Sequence, residues 1–145
     1  MQQKELLSKL DQQRIVDAIA RAEKKTSGEI RVHIQPKVKG GDVRKAAERT
    51  FERLGMTKTA ERNGVLLFIS SEDNRFAILG DSGINDKEPA GFWDEIAAKL
   101  TIRFMGGEFT DGIVEAIENA GRELAVFFPR QKDDVNELSN EISRE

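Results

Sequence analysis

This sequence predicts an α/β fold with its sheet packed between helices, and three observations carry the prediction. Residues 65–69 (VLLFI) and 76–79 (FAIL) are unbroken apolar runs, the pattern of strands covered on both faces. Residues 29–35 alternate instead, with Ile30, Val32 and Ile34 on one face and Arg31, His33 and Gln35 on the other. Around these segments, apolar residues recur at helical spacing through polar backgrounds.

In chain order, Leu6, Leu7, Leu10, Ile15, Ile19 and Ala22 line one face of an opening helix, with Asp11 as the place where it could break. Gly28, after Thr26-Ser27, offers it a left-handed stop. Pro36 ends the alternating strand, and a basic, glycine-ended loop follows at 37–41. Asp42 then caps a helix whose Val43, Ala47, Phe51 and Leu54 share one side until Gly55. Such a helix is the crossover of a βαβ unit, so the strand at 65–69 runs parallel to the strand at 29–35. The polar reversal at 70–74 is hairpin-length, which turns the strand at 76–79 antiparallel.

Pro89 opens the next helix, with Phe92, Ile96, Leu100 and Phe104 at steps of four, Trp93 and Ala97 alongside, and Gly106-Gly107 at its end. The strongest amphipathic pattern follows at 108–128, carried by Ile113, Ile117, Ala120, Leu124, Phe127 and Phe128 and stopped by Pro129. Beyond Arg130 the chain is polar, and Val135, Leu138 and Ile142 hint only at a weak terminal helix or a mobile tail. The predicted organisation is one domain over residues 1–130 and a polar tail over 131–145. With the core ending near Pro129, removal of the tail is expected to leave the fold intact.

The length of 145 residues and the 38% hydrophobic content suit one domain with a sizeable core. Lys+Arg number 23 against 26 Asp+Glu, a net charge of −3 with the signs interspersed, which gives no basic footprint for nucleic acid. The absence of cysteine excludes disulfides, thiolate nucleophiles and zinc–thiolate sites. The first residues lack a signal peptide's apolar core, and no segment approaches the ~20 apolar residues of a membrane helix. The expectation is a soluble, cytoplasmic monomer. No phosphate-cradling Gly-x-x-x-x-Gly-Lys-Ser/Thr and no Gly-x-Gly-x-x-Gly follows a strand, so nucleotide cofactors are not expected. His33 is the only histidine, and no Gly-x-Ser-x-Gly elbow accompanies it, which sets nucleophilic hydrolysis aside.

The polar groups that matter follow from strand directions. Because the third strand turns back, its C-terminal end lies level with the N-terminal ends of the first two. The loop GDSGIND at 80–86 is therefore predicted to share one sheet edge with Glu29 and with Arg62-Asn63. Glu29, Asp81, Asn85 and Asp86 would supply hard oxygen ligands suited to calcium or magnesium. Asp111 and Glu115, one helical turn apart, are further donors from the helix after Gly106-Gly107. The plainer readings stand beside these. Asp and Gly after a strand serve any turn, and the loop lacks the order of an EF-hand. Glu29 can equally be a strand-end charge paired with Lys24 or Lys25, and Arg75 is either an anion clamp or another strand-end charge.

The motifs together resemble the TPM domain, a family that includes plant and cyanobacterial thylakoid-lumen proteins linked to photosystem II repair, a worm receptor-associated protein and many bacterial proteins. The resemblance spans about residues 11–129. It rests on TSGEI at 26–30, RNGVLL at 62–67, FAILGDSGI at 76–84, Phe92-Trp93, Phe104 and FTDGI at 109–113. Compact bacterial members are the most similar. The resemblance implies a three-layer α/β/α sandwich with a central mixed, mostly parallel sheet of about four strands, and a divalent-cation site at the strand edge. A plant member is associated with acid phosphatase activity. If that activity extended here, Asp81 would be the nucleophile or base, and Arg75 or Arg62 the anion clamp. A third reading is an adaptor that docks a protein partner through the tail and the exposed face of the last helix.

Overall fold

In the computed structural model, which describes residues 8–85, 93–130 and 138–144, the first helix is α1 (Lys9–Glu23). Ser8 caps it by accepting a hydrogen bond from the Asp11 amide at 3.2 Å. Strand β1 (Glu29–Gln35) is followed by α2 (Val43–Arg53), which Asp42 caps through the Lys45 amide at 3.0 Å, as its position predicts. Gly55, with φ at 70°, turns the chain into a short 3-10 helix, Met56–Lys58, and on to β2 (Gly64–Ser70). Strand β3 (Arg75–Gly80), the one-turn helix α3 (Ser82–Asn85), α4 (Asp94–Met105), α5 (Phe109–Phe127) and a two-residue strand β4 (Ser143–Arg144) complete the order. Gly107, at φ 76°, separates α4 from α5, where the glycine pair predicted a break.

The sheet order is β3-β2-β1-β4. Three strands carry it, and β4 adds only a short edge. Strands β1 and β2 are parallel, with Glu29 opposite Gly64 and Gln35 opposite Ser70. The hairpin makes β3 antiparallel to β2, with Val65 opposite Gly80 and Ser70 opposite Arg75. Strand β4 lies parallel to β1, with Ser143 opposite His33. The mixed, mostly parallel α/β/α sandwich is therefore the observed architecture.

Two cores flank the sheet. Ile30, Val32, Ile34, Val65, Leu67, Ile69 and Ile78 pack against α1, α4 and α5 on one face. Leu66, Phe68, Ala77 and Leu79 pack against α2 and Met56 on the other. Phe68 is wholly buried, and burial of a side chain of that kind contributes ~1.5 to 3 kcal/mol. Helices α1 and α5 run side by side in the same direction, since Arg14 meets Asp111 and Arg21 meets Glu118. At Gly121 they are so close that a Cβ would lie 2.7 Å from the Ala22 Cβ. As a result α1, α2 and α5 all end at the sheet edge where β1 and β2 begin, and α4 begins there, with the Trp93 ring against Gly80.

Several expectations need correction. The opening helix stops at Glu23, and Gly28 is not left-handed. Its small size is needed because a Cβ there would meet Leu124 Cδ1 at 3.0 Å. His33 is not on an open polar face but fully buried, stacked on Phe68 at 5.1 Å between ring centroids. Its Nδ1 lies 3.0 Å from the Ser143 hydroxyl and its Nε2 2.8 Å from Gln35 Oε1. The end of the tail that the structure describes is a strand on β1, neither helix nor free coil, with Leu138 and Ile142 half-buried against the two cores. Leu6, Leu7, Asp86, Pro89, Phe92 and Val135 lie outside the described residues. No helix among the described residues is long and apolar enough to cross a membrane.

Candidate functional site

The predicted convergence at the sheet edge is present. The Asp81 amide donates to the Gly64 carbonyl at 2.9 Å and the Glu29 amide to the Asn63 carbonyl at 3.3 Å, so three strand ends meet in one row. Asp81 is 6% exposed and Glu29 3%. A carboxylate buried this deeply must find compensation, and Asp81 finds it in Arg62. Arg62 Nε donates to Asp81 Oδ2 at 2.7 Å and Nη2 to Oδ1 at 2.9 Å, a bidentate fork, while the Ser82 amide adds a third bond at 2.7 Å. The hydrogen bond to Asp81 raises the Arg62 pKa above its ordinary value.

The loop itself is held by backbone. The Asp81 carbonyl accepts from the amides of Ile84 and Asn85, and the Gly83 amide donates to the Arg62 carbonyl at 2.8 Å. Gly83 is pressed so closely against residues 61 and 62 that a Cβ would sit 2.2 Å from the Glu61 carbonyl oxygen and 2.6 Å from that of Arg62. The Asn85 amide nitrogen donates to the Gly80 carbonyl at 3.3 Å. Asn63 joins the same edge, with its amide nitrogen 3.2 Å from the Ser27 hydroxyl.

Glu29 Oε1 accepts from the Leu138 amide, which gives it a partner in the returning tail. Beside it lies a residue the sequence reading missed. Glu23, 7% exposed, accepts from the Ile30 amide at 2.9 Å, and burial, with the Glu29 charge alongside, pushes its pKa up to about 7. A signal for it existed, since Ile15, Ile19 and Glu23 fall at steps of four, which puts a carboxyl on the apolar stripe of α1.

Glu23 makes a sign-definite prediction. An acid whose folded pKa exceeds its unfolded value of 4.5 favours the fold when protonated, so its contribution is complete below pH 4.5 and is lost as pH rises through about 7. The upper bound is roughly 3 kcal/mol at about 1.4 kcal/mol per unit. Urea unfolding of Glu23→Gln should be flatter than wild type between pH 5 and 8 and show the variant more stable at pH 8. An unchanged pH slope would remove Glu23 as the cause.

Asp111 and Glu115 do not join this edge. They sit at the start of α5, whose Phe109 packs through Phe104 on Phe76, at the far end of β3 from Asp81. Asp111 pairs with Arg14 at 2.6 Å, which lowers its pKa, and Glu115 with Arg103 at 3.1 Å. Arg75 is also at the far end, with Nη1 donating to the Gly41 carbonyl at 3.3 Å. Among the described residues no group of three or more Asp, Glu or His side chains stands close enough to hold a metal ion.

The TPM domain family matches residues 1–123. This chain belongs to the TPM domain family. Its fold matches the NMR structure of the BA42 protein from the psychrophilic bacterium Bizionia argentinensis with a TM-score of 0.92, at 44% identity over 99% of both chains. Two more distant likenesses concern the fold alone. One is the N-terminal domain of a P. gingivalis protein, with TM-score 0.70 and 19% identity over 87% of this chain and 81% of that one. The other is the N-terminal domain of the cg2496 protein from Corynebacterium glutamicum, with TM-score 0.67 and 14% identity over 83% and 76%. No curated protein is similar enough to count as a match.

Proposed function

We propose that this TPM domain is a divalent-cation binding module, taking calcium or magnesium at the sheet edge around Asp81. One observation supports the reading above the others: a nearly buried carboxylate ends a strand, compensated by a single side chain that is itself 47% exposed. The donors nearby are all oxygen, from the Asp81 carboxylate, the Asn85 side chain and the carbonyls of the 80–85 loop, which suits hard cations and not thiophilic ones. With fewer than three acidic groups together, the cation would keep several waters, and millimolar affinity is expected.

The phosphatase reading has less behind it. Neither candidate anion clamp stands ready: Arg62 is committed to Asp81 itself, and Arg75 is at the other end of the strand.

Calcium chloride titrated to 10 mM should, on the order of magnitude of such sites, move the amide resonances of Asp81, Ser82, Gly83, Ile84 and Asn85 with saturation. It should also raise the melting temperature, because only the folded state presents the site. Unmoved amides, or equal movement in Asp81→Asn, would sink the proposal.

A further inference from the structure

Resting on the cation reading above, we infer that Arg62 is a built-in occupant of the site, a guanidinium that neutralises Asp81 and must leave when a divalent cation enters. The fork from Nε and Nη2 takes both carboxylate oxygens at 2.7 and 2.9 Å, the same lone pairs a metal would use. A dication seated on the face of the carboxylate that the fork covers would compete with the guanidinium for it, and at a few ångströms their charges repel.

The two partners are unequal in a way that suits exchange. The Asp81 side chain is 5% exposed and fixed, whereas that of Arg62 is 47% exposed and reaches the carboxylate from the solvent side. Moving the guanidinium outward returns it to water at small cost, and the incoming cation replaces the charge that the buried carboxylate requires. The surrounding frame does not depend on the fork. Gly83 stays bonded to the Arg62 carbonyl and Asp81 to the Gly64 carbonyl, so the loop persists with the side chain swung away.

The backbone at Arg62 adds an independent observation. Its φ is 52°, in the left-handed region that a bulky residue seldom adopts. Held in that conformation, Arg62 directs its carbonyl to Gly83 and its side chain to Asp81 together. Strain of this kind concentrates where a group must be aimed.

The wild-type protein provides the first test. The Arg62 Nε–H resonance should shift toward its free position on calcium addition, in step with the Asp81–Asn85 amides, and should not do so in potassium chloride of equal ionic strength. Equal movement in potassium chloride would mean simple screening and overturn the inference. In Arg62→Met, which keeps the stem and loses the charge, calcium and magnesium should bind about tenfold more tightly, a free-energy change of ~1.4 kcal/mol. The melting temperature without cation should fall in the same variant. Arg62→Lys, charged but without the fork, should lie between the two proteins. Equal or weaker binding by Arg62→Met, with the Asp81 loop still responding, would overturn the inference and leave the cation site standing. No response in either protein would overturn both.

Discussion

Gly83→Ala should be the most damaging glycine-to-alanine change among the described residues. The new Cβ would fall 2.2 Å from one carbonyl oxygen and 2.6 Å from the next, and both belong to backbone that cannot rotate aside. The loop would have to lift from residues 61 and 62, which breaks the bond from the Gly83 amide to the Arg62 carbonyl and loosens the seat of Asp81. Overpacking of this type costs ~1 to 3 kcal/mol, and the lost hydrogen bond adds ~1 kcal/mol. For a chain of this size the melting temperature should drop by roughly 10 °C, at about 2 to 4 °C per kcal/mol. The same substitution should abolish the calcium response of the Asp81 loop. Since Gly83 has no left-handed φ, Gly83→Ala tests space and not conformation. A variant with wild-type melting temperature and calcium response would contradict the packing described.

Removal of residues 138–145 is expected to destabilise the protein, in contrast to what the polarity of the tail implies. The described part of that segment supplies the Leu138 amide to Glu29, the Ser143 hydroxyl to His33 and the β4 pairing along β1. Its loss leaves two buried polar side chains short of a partner at ~1 to 3 kcal/mol each. It also uncovers apolar surface beneath Leu138 and Ile142. A total near 3 kcal/mol, and so a melting temperature lower by about 10 °C, is the expected order of magnitude. Amide exchange should quicken in β1 before it quickens in β2, because β2 keeps both of its neighbours. If the shortened chain unfolds like the full one, the tail has no structural part and the remaining surroundings of Glu29 and His33 suffice for them.

The features legible from sequence were those fixed locally. The hairpin length at 70–74 set the direction of β3, and that direction alone brought Asp81 level with Glu29 and Arg62. Asp42, Gly55 and Gly107 announced helix ends because caps and left-handed turns depend on near neighbours. What failed depended on distant packing. No local signal says which end of α5 faces the Asp81 edge, and Asp111 and Glu115 were placed there although their helix starts at the opposite end. Strand β4 is too short to show alternation, so neither the cover over His33 nor the partner of Glu29 could be foreseen. The role of Arg62 as the counter-charge of Asp81 needed the distance itself.

The common end point of α1, α2 and α5 gives the molecule an electrical polarity. Each long helix carries about half a negative charge at its C-terminus, and three of these gather where β1 and β2 begin, against the N-terminus of α4 and that of the one-turn α3. Glu29 adds its carboxyl to the same pole, whereas the Asp81 charge is met by Arg62 and the Glu23 pKa is raised to about 7. The helix contribution comes from strand order and crossover direction, so it does not depend on any one surface side chain. Taken alone, these helix termini would favour an approaching cation over a phosphate ester, and the exposed Arg62 works against them.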